Sequence, residues 1–290
     1  MARFVAVLLA ALSLSLAPPT ASTTAGADPV ITAAGDIARG GAPGRPQRRT
    51  ARLVLRIDPA VALTLGDNQY PDGALRDFES SYDPTWGRFK RITRPVPGNH
   101  EYHTSGADGY FDYFGRRAHR ANGGYYSFNV GRWHLVAVNS GTGRISDRQL
   151  RWIRRDLRRS DARCELAYWH HPRWSSGTTH GSDPDMGPLW TVLYRAGVDV
   201  VLNGHEHNYE RFAKLAPSGQ RAPHRGIREF VVGTGGGSPY PFGGPEAGSQ
   251  VRIRGAYGVL RLRLHPRAYE WSFVRVDGRV LDRGQGRCHG

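Results

Sequence analysis

The sequence predicts an α/β fold that gives way to an α+β arrangement in its last third, on three observations. Short apolar runs repeatedly end in Gly and then in a carboxylate, amide or imidazole side chain, as at Gly35-Asp36, Gly66-Asp67, Gly98-Asn99-His100 and Gly204-His205. Segments of helical spacing stand between several of these runs. From Phe212 onward the patterning is mostly of strand type. Strands that deliver polar side chains at their carboxyl ends are how α/β sheets commonly hold ligands.

In chain order, Val30–Ala34 is the first expected strand, followed by Gly35-Asp36-Ile37-Ala38. Gln47–Ile57 carries helical spacing through Ala51, Leu53, Val54 and Ile57, and Val61–Leu65 is the next strand. Together they form a β-α-β unit with parallel strands. The second strand delivers Asp67, and Tyr70 follows three residues later. Ala74–Arg91 is expected to be helical in parts, broken at Pro84 and Gly87. Arg94–Val96 is a short strand leading to Asn99 and His100, and Asp108–Phe114 is aromatic and reads as irregular. Gly124–Val130 and Trp133–Asn139 alternate around Gly131 as a hairpin. Ser146 opens a helix, with Gln149 placed to complete a capping box and Leu150, Ile153 and Leu157 as its apolar stripe. Cys164–Trp169 is a strand delivering His170-His171, Met186–Ala196 is a helix, and Val198–Leu202 delivers His205 and His207. Ile227–Val232, Tyr257–Leu264, Ala268–Val276 and Arg279–Leu281 are expected to form an antiparallel second sheet packed on the first.

The first 27 residues read as a leader. Arg3 supplies a positive start, Phe4–Ala17 is a short apolar run, and Ala25-Gly26-Ala27 is the best cleavage site, with Ala21 as second choice. An exported, soluble protein is expected, with residues 28–290 as one domain; no later apolar stretch is long enough to span a bilayer. Hydrophobic residues at 39%, with 37 Gly and 19 Pro, suit a loop-rich globular enzyme rather than a disordered chain. The formal charge of +15 is almost wholly Arg. Its densest cluster, Arg151, Arg154, Arg155, Arg158 and Arg159, falls on one helix and reads as a solvated face, so no specific nucleic-acid binding is expected. The two cysteines, Cys164 and Cys288, are an even count in an exported chain and suggest a disulfide clamping the C-terminal tail to the body.

Five strand ends thus present Asp36, Asp67 with Tyr70, Asn99 with His100, His170, and His205 with His207. Bringing that many ionisable groups together is costly without a compensating charge, which a pair of cations would supply. Carboxylate, phenolate, amide oxygen and imidazole suit Fe, Mn or Zn. In this ordered set the chain resembles the calcineurin-like metallophosphoesterases, and within them the purple acid phosphatase branch. The blocks are Gly35-Asp36-Ile37-Ala38, Gly66-Asp67-Asn68-Gln69-Tyr70, Gly98-Asn99-His100-Glu101, Trp169-His170-His171-Pro172 and Gly204-His205-Glu206-His207-Asn208-Tyr209-Glu210-Arg211. Many of these enzymes have a His ligand in the first block, where this chain has Ala38. The purple branch instead uses a Tyr, and Tyr70 stands there.

The resemblance implies a four-layer α/β/β/α sandwich of two mixed sheets flanked by helices, with a dinuclear centre at the strand carboxyl ends. It implies that Asp36, Asp67, Tyr70 and His207 hold Fe(III), and that Asp67, Asn99, His170 and His205 hold Fe(II), Zn or Mn. Asp67 would bridge the two ions. It further implies an acid phosphatase cleaving small phosphate monoesters by direct attack of a metal-bound hydroxide, with His100 assisting the leaving group and His180 facing the substrate. His171 reads as structural, pointing away, and Gly235-Gly236-Gly237 reads as a tight turn. A phosphodiesterase or nucleotide hydrolase of the same fold is the alternative. A non-catalytic anion or nucleic-acid binder ranks last, because the ligand set is full.

Overall fold

The computed structural model describes residues 1–2, 27–40 and 46–289; nearly all of the expected leader, and its apolar run, lies outside them. No described helix is long and apolar enough to cross a membrane.

Strand β1 (Val30–Ala34) leads through the two-residue β2 (Ala38–Arg39) to helix α1 (Pro46–Ile57). Strand β3 (Val61–Leu65), the short β4 (Gln69–Tyr70), helix α2 (Leu75–Asp77) and strand β5 (Thr93–Val96) follow. Helix α3 (Asp108–Phe114) precedes the hairpin β6 (Tyr126–Val130) and β7 (Trp133–Ala137). Then come α4 (Asp147–Arg159), β8 (Cys164–Tyr168), α5 (Gly187–Ala196), β9 (Val200–Asn203), β10 (Tyr209–Leu215), β11 (Ile227–Val232) and β12 (Ser249–Ile253). The chain closes with β13 (Gly258–His265), β14 (Ala268–Arg275) and β15 (Val280–Arg287).

These strands build two mixed sheets, in the orders β15-β14-β13-β1-β3-β5 and β12-β10-β11-β9-β8-β7-β6. In the β-α-β unit, β1 and β3 are parallel, as are β3 and β5, and β7, β8 and β9. Strands β3, β7 and β8 are buried along their whole length because each sheet is covered on both faces. One apolar core lies between the sheets, where Leu63, Leu166, Leu202 and Leu260 meet. A second lies outside the larger sheet: Ala167 and Val201, which alternate with the first set, pack there with Leu150 and Ile153 of α4 and Trp190 of α5. The four-layer sandwich implied by the resemblance is the observed architecture.

The expected separate antiparallel sheet at the C-terminus is not what forms. Strand β11 joins the larger sheet parallel to β9, whereas β13 pairs antiparallel with β1, so β13, β14 and β15 extend the first sheet. The physical reason is the open side of β1, which has β3 on one edge only; Leu260, Leu262 and Leu264 of β13 supply the inward face it needs. Strand β10 begins inside the last polar block, at Tyr209. Asp108–Phe114 is an α-helix rather than irregular: its aromatic residues bury on several sides, against Phe78 and Tyr82, which erases the period that would have revealed it. At α4, Ser146 Oγ accepts from Gln149 N at 3.2 Å, but the Gln149 side chain does not return the bond. It bonds instead to both backbone groups of Asn139, at 2.8 and 2.9 Å, stitching helix to sheet. The cysteines are bridged, Cys164 to Cys288, with Cα atoms 5.4 Å apart.

Candidate metal centre

The centre forms where the carboxyl ends of the two sheets face one another. Loops after β1 and β3 run side by side, Asp36 N donating to Gly66 O (3.1 Å) and Ile37 N to Asp67 O (2.9 Å). Three of the strand-end residues have left-handed backbones, Asp36 (φ 59°), Asp67 (φ 46°) and His205 (φ 71°). That conformation is disfavoured for residues with a Cβ and persists where surrounding contacts enforce it, a pattern concentrated at functional sites. The glycines beside them permit close approach: a Cβ on Gly98 would lie 2.1 Å from Asp67 Oδ1, and one on Gly66 2.5 Å from His170 Nδ1.

All seven expected donors come together. The Tyr70 hydroxyl lies 3.0 Å from Asp36 Oδ1, 3.0 Å from Asp67 Oδ2 and 2.9 Å from His207 Nε2. His207 Nδ1 donates to the Ser238 carbonyl (2.8 Å), so its Nε2 turns a lone pair inward. His170 repeats the device: Nδ1 donates to Leu65 O (2.8 Å), leaving Nε2 3.1 Å from Asn99 Oδ1, 3.1 Å from His205 Nδ1 and 3.4 Å from Asp67 Oδ2. Asp67 therefore touches both halves of the cluster.

This arrangement has too many acceptors for its protons. One phenolic hydrogen faces three acceptors, and the Asn99 oxygen and the inward imidazole nitrogens add lone pairs in a buried space. The electrostatics of these side chains point to the same demand for positive charge. Burial disfavours charge on His170, yet Asp67 and Asp36 hold its pKa up at about 9. Burial also opposes ionisation of Asp67, but His170 and His100 keep its carboxyl well below the usual range. Burial and the two carboxylates push the Tyr70 phenol well above its ordinary value. Hard and intermediate donors with a shared carboxylate fit two cations of the Fe, Mn or Zn type.

The two expected catalytic histidines flank the cluster. His100 Nδ1 bonds the Pro71 carbonyl, and its Nε2 is 3.8 Å from Asp67 Oδ2. His180 is exposed at the rim, its ring stacked on His205 with centroids 4.0 Å apart. His171 does not point away as expected: its ring centroid is 4.4 Å from that of His205. Ser140 Oγ accepts from the backbone N–H groups of His170 and His171, so its own hydrogen goes to His171 Nδ1 (3.0 Å). That places the remaining ring proton on Nε2, and burial beside His170 lowers the His171 pKa to about 3. A neutral imidazole so protonated is a donor at Nε2.

Several participants escaped the sequence reading. Glu101 is fully buried, and its carboxylate takes Gly98 N (2.7 Å) and Gln69 N (3.1 Å), tying two of the site loops together. Glu206, also buried, takes His180 N (2.6 Å) and Gly181 N (2.7 Å) and so fixes the loop carrying His180. Tyr240 stacks on His207, with centroids 3.8 Å apart and an interplanar angle of 9°. The glycine run at 235–237 is a close backbone approach rather than merely a tight turn. Gly237 N donates to Asp36 O (2.7 Å), and a Cβ on Gly237 would lie 2.7 Å from the His207 ring. Its signal was present in the composition, but only the fold shows what it approaches.

Comparison with known proteins is consistent with this geometry. Residues 29–209 match the calcineurin-like phosphoesterase family. Purple acid phosphatase 21 of Arabidopsis thaliana is 29% identical over 256 residues, covering 78% of this chain and 56% of the relative. Acid phosphatase type 7 of Homo sapiens is 28% identical over 245 residues, covering 67% of this chain and 55% of the relative. The chain thus spans about half the length of these curated relatives. Among solved structures, the purple acid phosphatase PPD1 of yellow lupin (Lupinus luteus) superposes with a TM-score of 0.72 at 18% identity, covering 89% of this chain and 53% of that one. GAP50, the anchor in the inner membrane complex of Plasmodium, superposes at 0.66 and 15% identity, covering 90% and 89%. At such identities the likeness is one of fold, and GAP50 illustrates that one fold serves unlike ends.

Proposed function

The chain belongs to the calcineurin-like phosphoesterase family, and on that premise we propose that it hydrolyses small phosphate monoesters at a pair of metal ions, in the manner of a purple acid phosphatase. The observation that carries the proposal is the Tyr70 hydroxyl within 3.0 Å of Asp36, Asp67 and His207. Asp36, Asp67, Tyr70 and His207 would hold one ion, Fe(III). Asp67, Asn99, His170 and His205 would hold the other, Fe(II), Zn or Mn, with Asp67 shared.

Such ions, when bound, acidify water, orient the phosphate and neutralise its developing charge in a direct displacement at phosphorus. The protein's own groups do the rest. The Pro71 carbonyl fixes the proton on His100 Nδ1 and aims Nε2 at the centre beside Asp67. As an imidazolium, His100 donates its Nε2 proton to the departing alkoxide oxygen. His180, held by the Glu206 carboxylate beneath its backbone, offers a second ring at the open rim for the phosphoryl oxygens. The burial of Asp36, Asp67, His170 and His207 keeps bulk water from competing for these donors.

We further propose that residues 1–27 are removed on export and that residues 28–290 form the catalytic domain. The test is elemental analysis of the purified protein together with hydrolysis of a panel of monoesters and diesters. Two equivalents of metal with monoester turnover are expected. Metal-replete protein that cleaves only diesters would replace the proposed substrate class, and protein that holds no metal would overturn the proposal.

A further inference from the structure

Beside the β2–β4 ladder that carries Tyr70 lies a cavity of about 260 Å³, lined by Arg39, Gln47, Arg48, Ser80, Ser81 and Thr85 among others. It is coupled to the centre by the backbone: Arg39 pairs with Tyr70 in the parallel β2–β4 ladder, and Ser81 Oγ donates to Gln69 Oε1 (2.8 Å). Its size is below the usual range for a whole ligand and suits a fragment of one.

The lining states what that fragment must be. Among the described residues no carboxylate lines the cavity, and neither Arg39 nor Arg48 has an acidic partner. Both guanidiniums are exposed and present fixed donors that match phosphate or carboxylate oxygens. The other groups are acceptors. Gln47 is 4% exposed, and its Nε2 gives one hydrogen to Arg39 O (2.9 Å) while its Oε1 has no partner. The hydroxyl hydrogens of Ser81 and Thr85 are spent, on Gln69 Oε1 and Ser81 O, so their oxygens remain to accept. An unpaired buried oxygen is costly to leave unmet. The cavity asks for an anionic group flanked by O–H or N–H donors.

We propose that this cavity is a leaving-group subsite for a second anionic group, so that the favoured substrates are hydroxylated phosphate monoesters bearing another phosphate, such as sugar or polyol bisphosphates. The inference rests on the phosphatase reading above and extends it to substrate selection by Arg39 and Arg48.

The experiment compares kcat/KM of the metal-loaded enzyme for glucose 1,6-bisphosphate with the better of glucose 1-phosphate and glucose 6-phosphate, alongside 4-nitrophenyl phosphate. A preference of about tenfold or more for the bisphosphate is expected from two charge-assisted contacts. In the surface double variant Arg39→Gln, Arg48→Gln the ratio should fall to within about twofold of one. A wild-type enzyme that turns over 4-nitrophenyl phosphate without preferring the bisphosphate overturns the subsite and leaves the phosphatase reading standing. A preference that survives in the double variant also overturns it. Loss of turnover toward every monoester by the metal-loaded wild type would instead overturn the phosphatase reading, and the subsite with it.

Discussion

Asp36, Tyr70 and His207 are buried and bonded to one another, whereas Asn99, His205 and His100, across Asp67, are half-buried and stand nearer the open rim. The first group is backed by Ser238, by the close backbone of Gly237 and by the flat face of Tyr240. The second is backed by Ser140 and leans on a ring stack that ends in exposed His180. On the proposed reading the difference divides labour: one half would keep an ion, the other would hold an ion while admitting a substrate. Asp67 is common to both, and Asp36 Oδ2 reaches across to accept from His205 N (2.9 Å).

Four substitutions break or sharpen that contrast. Asp67→Ala removes the shared carboxylate, so it should cost more than one equivalent of metal and essentially all hydrolysis; a variant retaining two ions and near-normal turnover refutes the shared role. His100→Ala should lower kcat by roughly 10²–10⁴ with metal content intact, and by less for substrates with very good leaving groups. Metal analysis and a leaving-group series check this; loss of metal without leaving-group dependence would mark His100 as structural.

Tyr70→Phe tests the closed half. A phenolate bound to Fe(III) absorbs visible light, so iron-loaded protein should be violet and the variant colourless, with weaker iron retention on dialysis. Colourless wild type, fully active with Zn or Mn alone and indifferent to the substitution, would assign Tyr70 to packing. Glu206→Gln tests the open half with the smallest effect. It weakens charge-assisted bonds to His180 N and Gly181 N, so kcat/KM should fall about tenfold with metal content unchanged. An unchanged kcat/KM would show that the rim loop needs no such anchor.

The strand ends were legible because a Gly followed by a polar ligand type after an apolar run has a backbone meaning of its own. Asp36, Asp67 and His205 follow from that meaning, and Tyr70 gained weight once Ala38 removed the alternative ligand. Ser140, Glu101 and Glu206 were not legible, since their value lies in backbone N–H groups from other loops, 26 to 32 residues away in the bonds to His180, His170 and Gln69. Gln149 was misread for a related reason: its local partner lost to Asn139, which only the packing of α4 on the sheet brings near. Asp108–Phe114 hid its helix by burying aromatic rings on too many sides for a period to survive.

The Cys164–Cys288 bond joins the first residue of β8, in the larger sheet, to the residue just beyond β15, the last strand of the other. It acts as a rivet through a laminate. The two sheets meet at the centre through loop bonds such as Gly237 N to Asp36 O (2.7 Å) and His170 Nδ1 to Leu65 O (2.8 Å), and shearing one sheet past the other would break these and pull Asp36 and Asp67 away from His170 and His205. With a separation of 124 residues, the crosslink also restrains the unfolded chain, by about 2–4 kcal/mol on general grounds. The bond thus guards the alignment of the centre from the opposite end of β8, and a reducing environment would loosen the laminate before it touched a single ligand.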